Sequence, residues 1–143
     1  MNIEELKVKA ENIVENIKDK GIYLKENTFI DYKLELKLSP NVSNVLIFLR
    51  NFAKDILAFA NKDGGLLLLG FNENKETGEI TDIGLKEDDI NILRAIDLKD
   101  LSDQFVKMFD AQIVVDIHAF NIAARKFYYI LIEKHNSILI TQK

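Results

Sequence analysis

Between Asn51 and Phe71 a helix, a double-glycine turn and an apolar strand follow one another without an intervening residue. Val45, Phe48, Leu49, Phe52, Ile56 and Phe59 recur every three or four positions, the spacing of one helical face. They predict an amphipathic helix with a phenylalanine-rich stripe turned to the core. Ser43 or Asn44 can cap its start, and Gly64-Gly65 ends it. From Leu66 to Phe71 the chain is apolar at every position, which predicts a strand buried on both faces and therefore central in its sheet.

The flanking segments predict what surrounds that strand. Ile3, Leu6, Ala10, Ile13, Val14 and Ile17 mark a helix over Asn2 to Lys20, with Lys18 and Lys20 suited to its C-terminal dipole and Gly21 as its stop. Across Phe29 to Leu38 the period falls to two. Tyr32, Leu34, Leu36 and Leu38 are expected inside, and Asp31, Lys33, Glu35 and Lys37 outside. Ser39-Pro40-Asn41 breaks this strand. Asn72 to Gly78 reads as a hairpin turn into a short strand near Ile80 to Ile83. Two short helices follow, around Asp88–Ala95 and Leu98–Phe109. Strands are then expected over Ile113–Ala119 and Phe127–Glu133, with a last edge strand over Ser137–Thr141. The order α-β-α-β-β-α-α-β-β predicts an α+β fold, a mixed β-sheet covered by helices.

Length and composition narrow the function classes. A chain of 143 residues is expected to be a single domain over 1–143, with the N-terminal helix as an addition at residues 1–20. With no cysteine, disulfides, thiolate zinc sites and a cysteine nucleophile are excluded. The N-terminus lacks the basic-then-apolar pattern of a signal peptide, and no apolar run approaches a membrane span, so no membrane association and a cytoplasmic location are expected. The net charge of −4 argues mildly against wholesale phosphate binding. The acids are unevenly placed, however. Residues 81–110 carry eight acids against four bases, and that helical region can face away from a polyanion.

Asp31-Tyr32-Lys33, Ala58-Phe59-Ala60-Asn61, Gly64-Gly65 and Gly70-Phe71-Asn72-Glu73 together resemble the signature of the Schlafen/AlbA-type DNA-binding domain family over roughly residues 20–135. In that family the first motif is typically Glu-Phe-Lys and the last Gly-Val-Asp-Asp. The resemblance implies the same α+β fold, DNA or RNA as partner, and, since the family often continues into a larger protein, a place within one. The family was once described as a divergent ATPase group. Physical order opposes that chemistry here, because a phosphate-cradling loop runs from strand to helix N-terminus. Gly64-Gly65 instead follows a helix, at the negative end of its dipole.

The resemblance also carries candidate residues. Some Schlafen relatives cut RNA with three carboxylates, and the matching positions are Glu26, Asp31 and Glu73, all acidic here. Three converging carboxylates suit Mg²⁺ or Mn²⁺, which would activate water and stabilise a phosphoryl transition state. For binding alone, which requires no cofactor, the candidate cations are Lys25, Lys33, Lys37, Lys62, Arg125 and Lys126, with Lys33 foremost because it sits in the shared motif. His118 and His135 lack an acid or serine at informative spacing, and Tyr128 and Tyr129 read as core aromatics before they read as base-stacking ones. The leading expectation is a domain that contacts backbone phosphates. The alternatives are a metal-dependent nuclease and a degenerate interaction domain that forms homo-oligomers and binds no nucleic acid.

Overall fold

The computed structural model describes residues 1–24 and 29–139. Its elements run α1 (Ile3–Lys20), β1 (Ile30–Lys33), α2 (Asn44–Ala60), β2 (Gly65–Leu69), β3 (Phe71–Glu73), β4 (Ile80–Asp82), α3 (Glu87–Arg94), α4 (Leu98–Phe109), β5 (Val115–Ile122) and β6 (Arg125–Ile132). The main sheet has the order β1-β2-β6-β5. β1 and β2 are parallel, while β2–β6 and β6–β5 are antiparallel, so the sheet is mixed. β3 and β4 form a separate two-stranded hairpin.

β2 is central, as its unbroken apolar run requires. Alternate leucines supply two cores. Leu67 and Leu69 pack with Tyr128, Ile130 and Ile132 of β6 under α2, α3 and α4. Leu66 and Leu68 pack with Tyr129 and Leu131 under α1. Tyr128 and Tyr129 are thus buried on opposite faces, as core aromatics.

The helix ends are set by chemistry visible in the sequence. Asn2 caps α1 by accepting the Glu5 N–H at 2.9 Å, and Gly21 closes it in the left-handed conformation. Ser43, not Asn44, caps α2. Gly64 adopts φ +83°, where a side chain would also press on the Ile132 carbonyl oxygen at 2.8 Å. Gly65 is needed for space, since a Cβ there would lie 2.2 Å from the Phe59 ring. Asn61, last of the Ala-Phe-Ala-Asn run, clasps the chain's far end. Its amide donates to the Leu139 carbonyl at 2.9 Å and accepts the Leu139 N–H at 2.6 Å.

Three expectations need correction. The strand begun near Phe29 ends at Lys33, and Leu34 and Leu38 are exposed, at 37% and 47%. Leu36 is buried, but against α2 rather than with Tyr32, because the chain leaves the sheet after Lys33 and crosses to the other core. The run Leu66 to Phe71 is not one strand. Gly70, at φ +107°, turns the chain so that Phe71 begins β3. Residues 133–139 are not a strand, and 140–143 lie outside the described residues. The other elements fall within a few residues of expectation.

Candidate functional site

β1 and β2 finish together at Lys33 and Leu69, and antiparallel β6 begins near the same end of the sheet. Gly70 ties these elements. Its N–H donates to the Lys33 carbonyl at 2.8 Å, and its carbonyl accepts from Ile83 at 3.1 Å and Gly84 at 2.8 Å. Most of the motif charges collect around this junction.

Strand alternation sends Ile30 and Tyr32 into the α1 core, and Asp31 and Lys33 to the opposite face of β1. There the Lys33 ammonium lies 3.1 Å from the Asp31 carboxylate and 3.5 Å from that of Asp55 on α2. Burial disfavours its charge, but Asp31 and Asp55 together outweigh burial and raise its pKa. Lys33 is therefore a held cation with two acidic partners. Sequence reasoning missed Asp55, which borders the buried stripe of α2 and carries no motif signal.

At the start of β6, the Arg125 guanidinium donates to the Asp82 carbonyl and to the Asp82 carboxylate, the latter at 3.0 Å, and lies over the Phe127 ring at 5.8 Å. Asp82 also faces Tyr23, whose pKa is raised by burial first and by Asp82 second. Lys126 follows, and its carbonyl accepts the Leu85 N–H at 2.9 Å. Lys86, the next residue, reaches the Glu35 carboxylate at 2.8 Å. Lys33, Lys86, Lys126 and Arg125 thus share one end of the fold. Among the described residues no acid pairs with Lys126.

The remaining candidates are placed as follows. Lys37 is exposed, and its backbone is fixed by the Asn51 amide, which accepts the Lys37 N–H at 2.8 Å and donates to its carbonyl at 3.0 Å. Lys62 is exposed beyond α2, near the opposite end of the sheet where β2 begins. Lys25 and Glu26 lie outside the described residues. Glu73 is largely buried on β3 and pairs with Lys75 at 2.5 Å. Asp31 and Glu73 are thus each engaged with a lysine. Among the described residues no three His, Cys, Asp or Glu side chains group as a metal site would require. Asp31 and Glu73, the two described members of the expected triad, do not by themselves make a metal site. No described helix is long and apolar enough to cross a membrane.

One acid near this end is buried outright. Asp89 on α3 is 2% exposed; its carboxylate accepts from the Leu36 N–H, while Oδ2 has no hydrogen-bond partner among the described residues. Burial raises its pKa, the Leu36 bond opposes the rise, and Glu35 adds to it. A raised folded-state pKa means that the folded form holds the proton more tightly. The stabilisation is complete below the unfolded value, ~3.9, and is lost as pH rises through the folded pKa. Asp89→Asn keeps an acceptor for Leu36 and removes the buried charge. It is expected to raise stability by about 1 kcal/mol at neutral pH, with the gain shrinking towards pH ~4. Thermal melts of both proteins across that range check it; a constant gap would refute it.

The chain belongs to the Schlafen, AlbA_2 family, whose model matches residues 26–143. The fold is similar to that of the N-terminal domain of a RecG-related protein from Nitrosomonas europaea, determined by solution NMR, with TM-score 0.55 and 17% identity over 94% of this chain and 80% of that one. It is also similar to the crystal structure of the DIP2311 protein from Corynebacterium diphtheriae, with TM-score 0.54 and 21% identity over 95% of this chain. The chain spans 23% of the length of that second structure. No curated protein matches the chain.

Proposed function

We propose that this domain binds nucleic acid through backbone phosphates, at the end of the sheet where β1 and β2 finish and β6 begins. The observation that carries this reading is the gathering of Lys33, Lys86, Arg125 and Lys126 there, from segments far apart in sequence. Family membership supports it. So does the Nitrosomonas europaea protein, described as related to an ATP-dependent DNA helicase, RecG. Each cation can neutralise one phosphate without reading sequence, and no cofactor is needed for that.

The acids at this end rank the cations. A phosphate approaching Lys33 must compete with Asp31 and Asp55, and one approaching Arg125 with Asp82. Lys126 has no such competitor among the described residues, so it contributes most and Lys33 less than its motif position suggests. The test is fluorescence anisotropy of labelled DNA and RNA, single- and double-stranded, over a salt series. Lys126→Ala is expected to weaken binding and to reduce the slope of log K against log salt by about 1. Lys33→Ala should do less, and Asp55→Asn should tighten binding. No salt-sensitive binding at the lowest ionic strength would overturn the reading. The nuclease alternative needs Glu26, Asp31 and Glu73 on one Mg²⁺ or Mn²⁺ ion. Mn²⁺-dependent cleavage lost in Asp31→Asn would replace binding by that reaction, and we expect none.

A further inference from the structure

β5 is an edge strand of eight residues, and among the described residues it has a neighbour on one side only. Its pairing with β6 runs without a bulge from Val115↔Ile132 to Ile122↔Arg125. It contains no proline and no lysine, and Val115, Ile117, Phe120 and Ile122 make it half apolar. A long, regular, apolar edge is a template for another strand unless it is guarded.

The direction of its free backbone groups follows from the register. The Glu133 N–H donates to the Val114 carbonyl at 2.9 Å, so even-numbered residues of β5 direct their backbone groups to β6. Those of Val115, Ile117, Ala119 and Asn121 point outward. Among the described residues the Ile117 N–H accordingly finds its neighbour, the Asp116 carboxylate, at 3.1 Å.

Charge then selects the occupant and its register. Asp116 and His118 lie on one face of β5, with carboxylate and imidazole 2.8 Å apart, so His118, against expectation, does have an acid beside it, two residues away on the strand. In a two-fold antiparallel pairing centred on Ile117, Asp116 of each copy stands opposite His118 of the other, at a close non-hydrogen-bonded position. Centring on His118 sets two imidazoles face to face, and centring on Ala119 leaves both groups unmatched. Only the first register is self-complementary. On the opposite face it brings the two Ile117 side chains together, beside a groove of about 290 Å³ bordered by Ile96, Leu98, Ile117 and Ala119.

We propose that β5 is a homodimer interface, in which two copies join their sheets edge to edge and antiparallel with Ile117 on the two-fold axis. The second copy's Ile117 carbonyl takes over the Ile117 N–H, and the Asp116 carboxylate turns to the second copy's His118. The proposal does not depend on nucleic-acid binding.

Sedimentation velocity at rising protein concentration tests it, with circular dichroism as the check that each variant is folded. The wild-type chain should shift from monomer to dimer. Asp116→Lys places Lys opposite His118, and His118→Asp places two acids together, so each variant alone should remain monomeric. An equimolar mixture again places a carboxylate opposite a nitrogen-bearing side chain at both positions and should dimerise. A cysteine-free chain also permits a register test. Ile117→Cys should cross-link under mild oxidant, because residues paired across the axis have Cα atoms about 5.5 Å apart, within disulfide reach. Ala119→Cys should not. A wild-type chain monomeric to millimolar concentration, a mixture that stays monomeric, or cross-linking through Ala119→Cys in place of Ile117→Cys would each overturn the proposal.

Discussion

Gly65→Ala is expected to lower stability by roughly 3 kcal/mol, or about 10 °C in Tm for a chain of this size. The added Cβ would lie 2.2 Å from two atoms of the Phe59 ring and 2.7 Å from a third. Phe59 has little freedom to retreat. It sits at the end of α2, its carbonyl accepts the Gly64 N–H at 2.9 Å, and its ring belongs to the core that also holds Leu67 and Ile132. Overpacking of this kind displaces a side chain or the backbone. Phe59→Leu combined with Gly65→Ala separates the causes. If the clash dominates, the double variant should cost less than the sum of the single ones, a coupling visible in urea melts. Strict additivity would refute the ring-on-glycine account. The pair of glycines thus has two distinct duties: Gly64 supplies a left-handed backbone and Gly65 supplies room.

That division explains why the motif was legible while its meaning was not. The three- and four-residue spacing of Val45 to Phe59 and the leucine run after Gly65 are strong local signals, and α2 and β2 lie where those signals place them. Leu98–Phe109 was equally plain, since Leu101, Phe105 and Phe109 fall on one face. The alternation from Tyr32 to Leu38 was ambiguous for a physical reason. Period two states that Tyr32 and Leu36 share a parity, but it cannot reveal that the chain changes core between them. Gly70 was hidden because an apolar run says nothing of a positive φ. For the candidate site, Asp31 and Lys33 were found through their motif. Asp55 and Asp82, which hold Lys33 and Arg125, come from remote segments and are recognisable only once the chain has folded. The motif's own charges were therefore seen without the partners that moderate them.

Phe71→Ala should be the more damaging substitution, at roughly 4 kcal/mol. Phe71 is 1% exposed, and its ring is surrounded by those of Phe127 at 4.8 Å, Tyr32 at 5.7 Å, Tyr23 at 6.2 Å and Phe120 at 6.3 Å. It is also the anchor of β3. The hairpin β3–β4 pairs only Phe71↔Asp82, Asn72↔Thr81 and Glu73↔Ile80, and so short a two-stranded unit is marginal by itself. Asp82 rides on this hairpin and fixes Arg125, so loss of the Phe71 ring reaches the cations at that end of the sheet. Phe71→Leu offers a milder test in a folded protein. Its expected signature is faster amide hydrogen exchange through residues 71–73 and 80–82, with β5–β6 protection nearly unchanged. Nucleic-acid binding should tighten with it, because Arg125 is released from its competitor Asp82 while Lys126 stays in place. Uniform loss of protection across the main sheet would show instead that Phe71 supports the whole core rather than the hairpin.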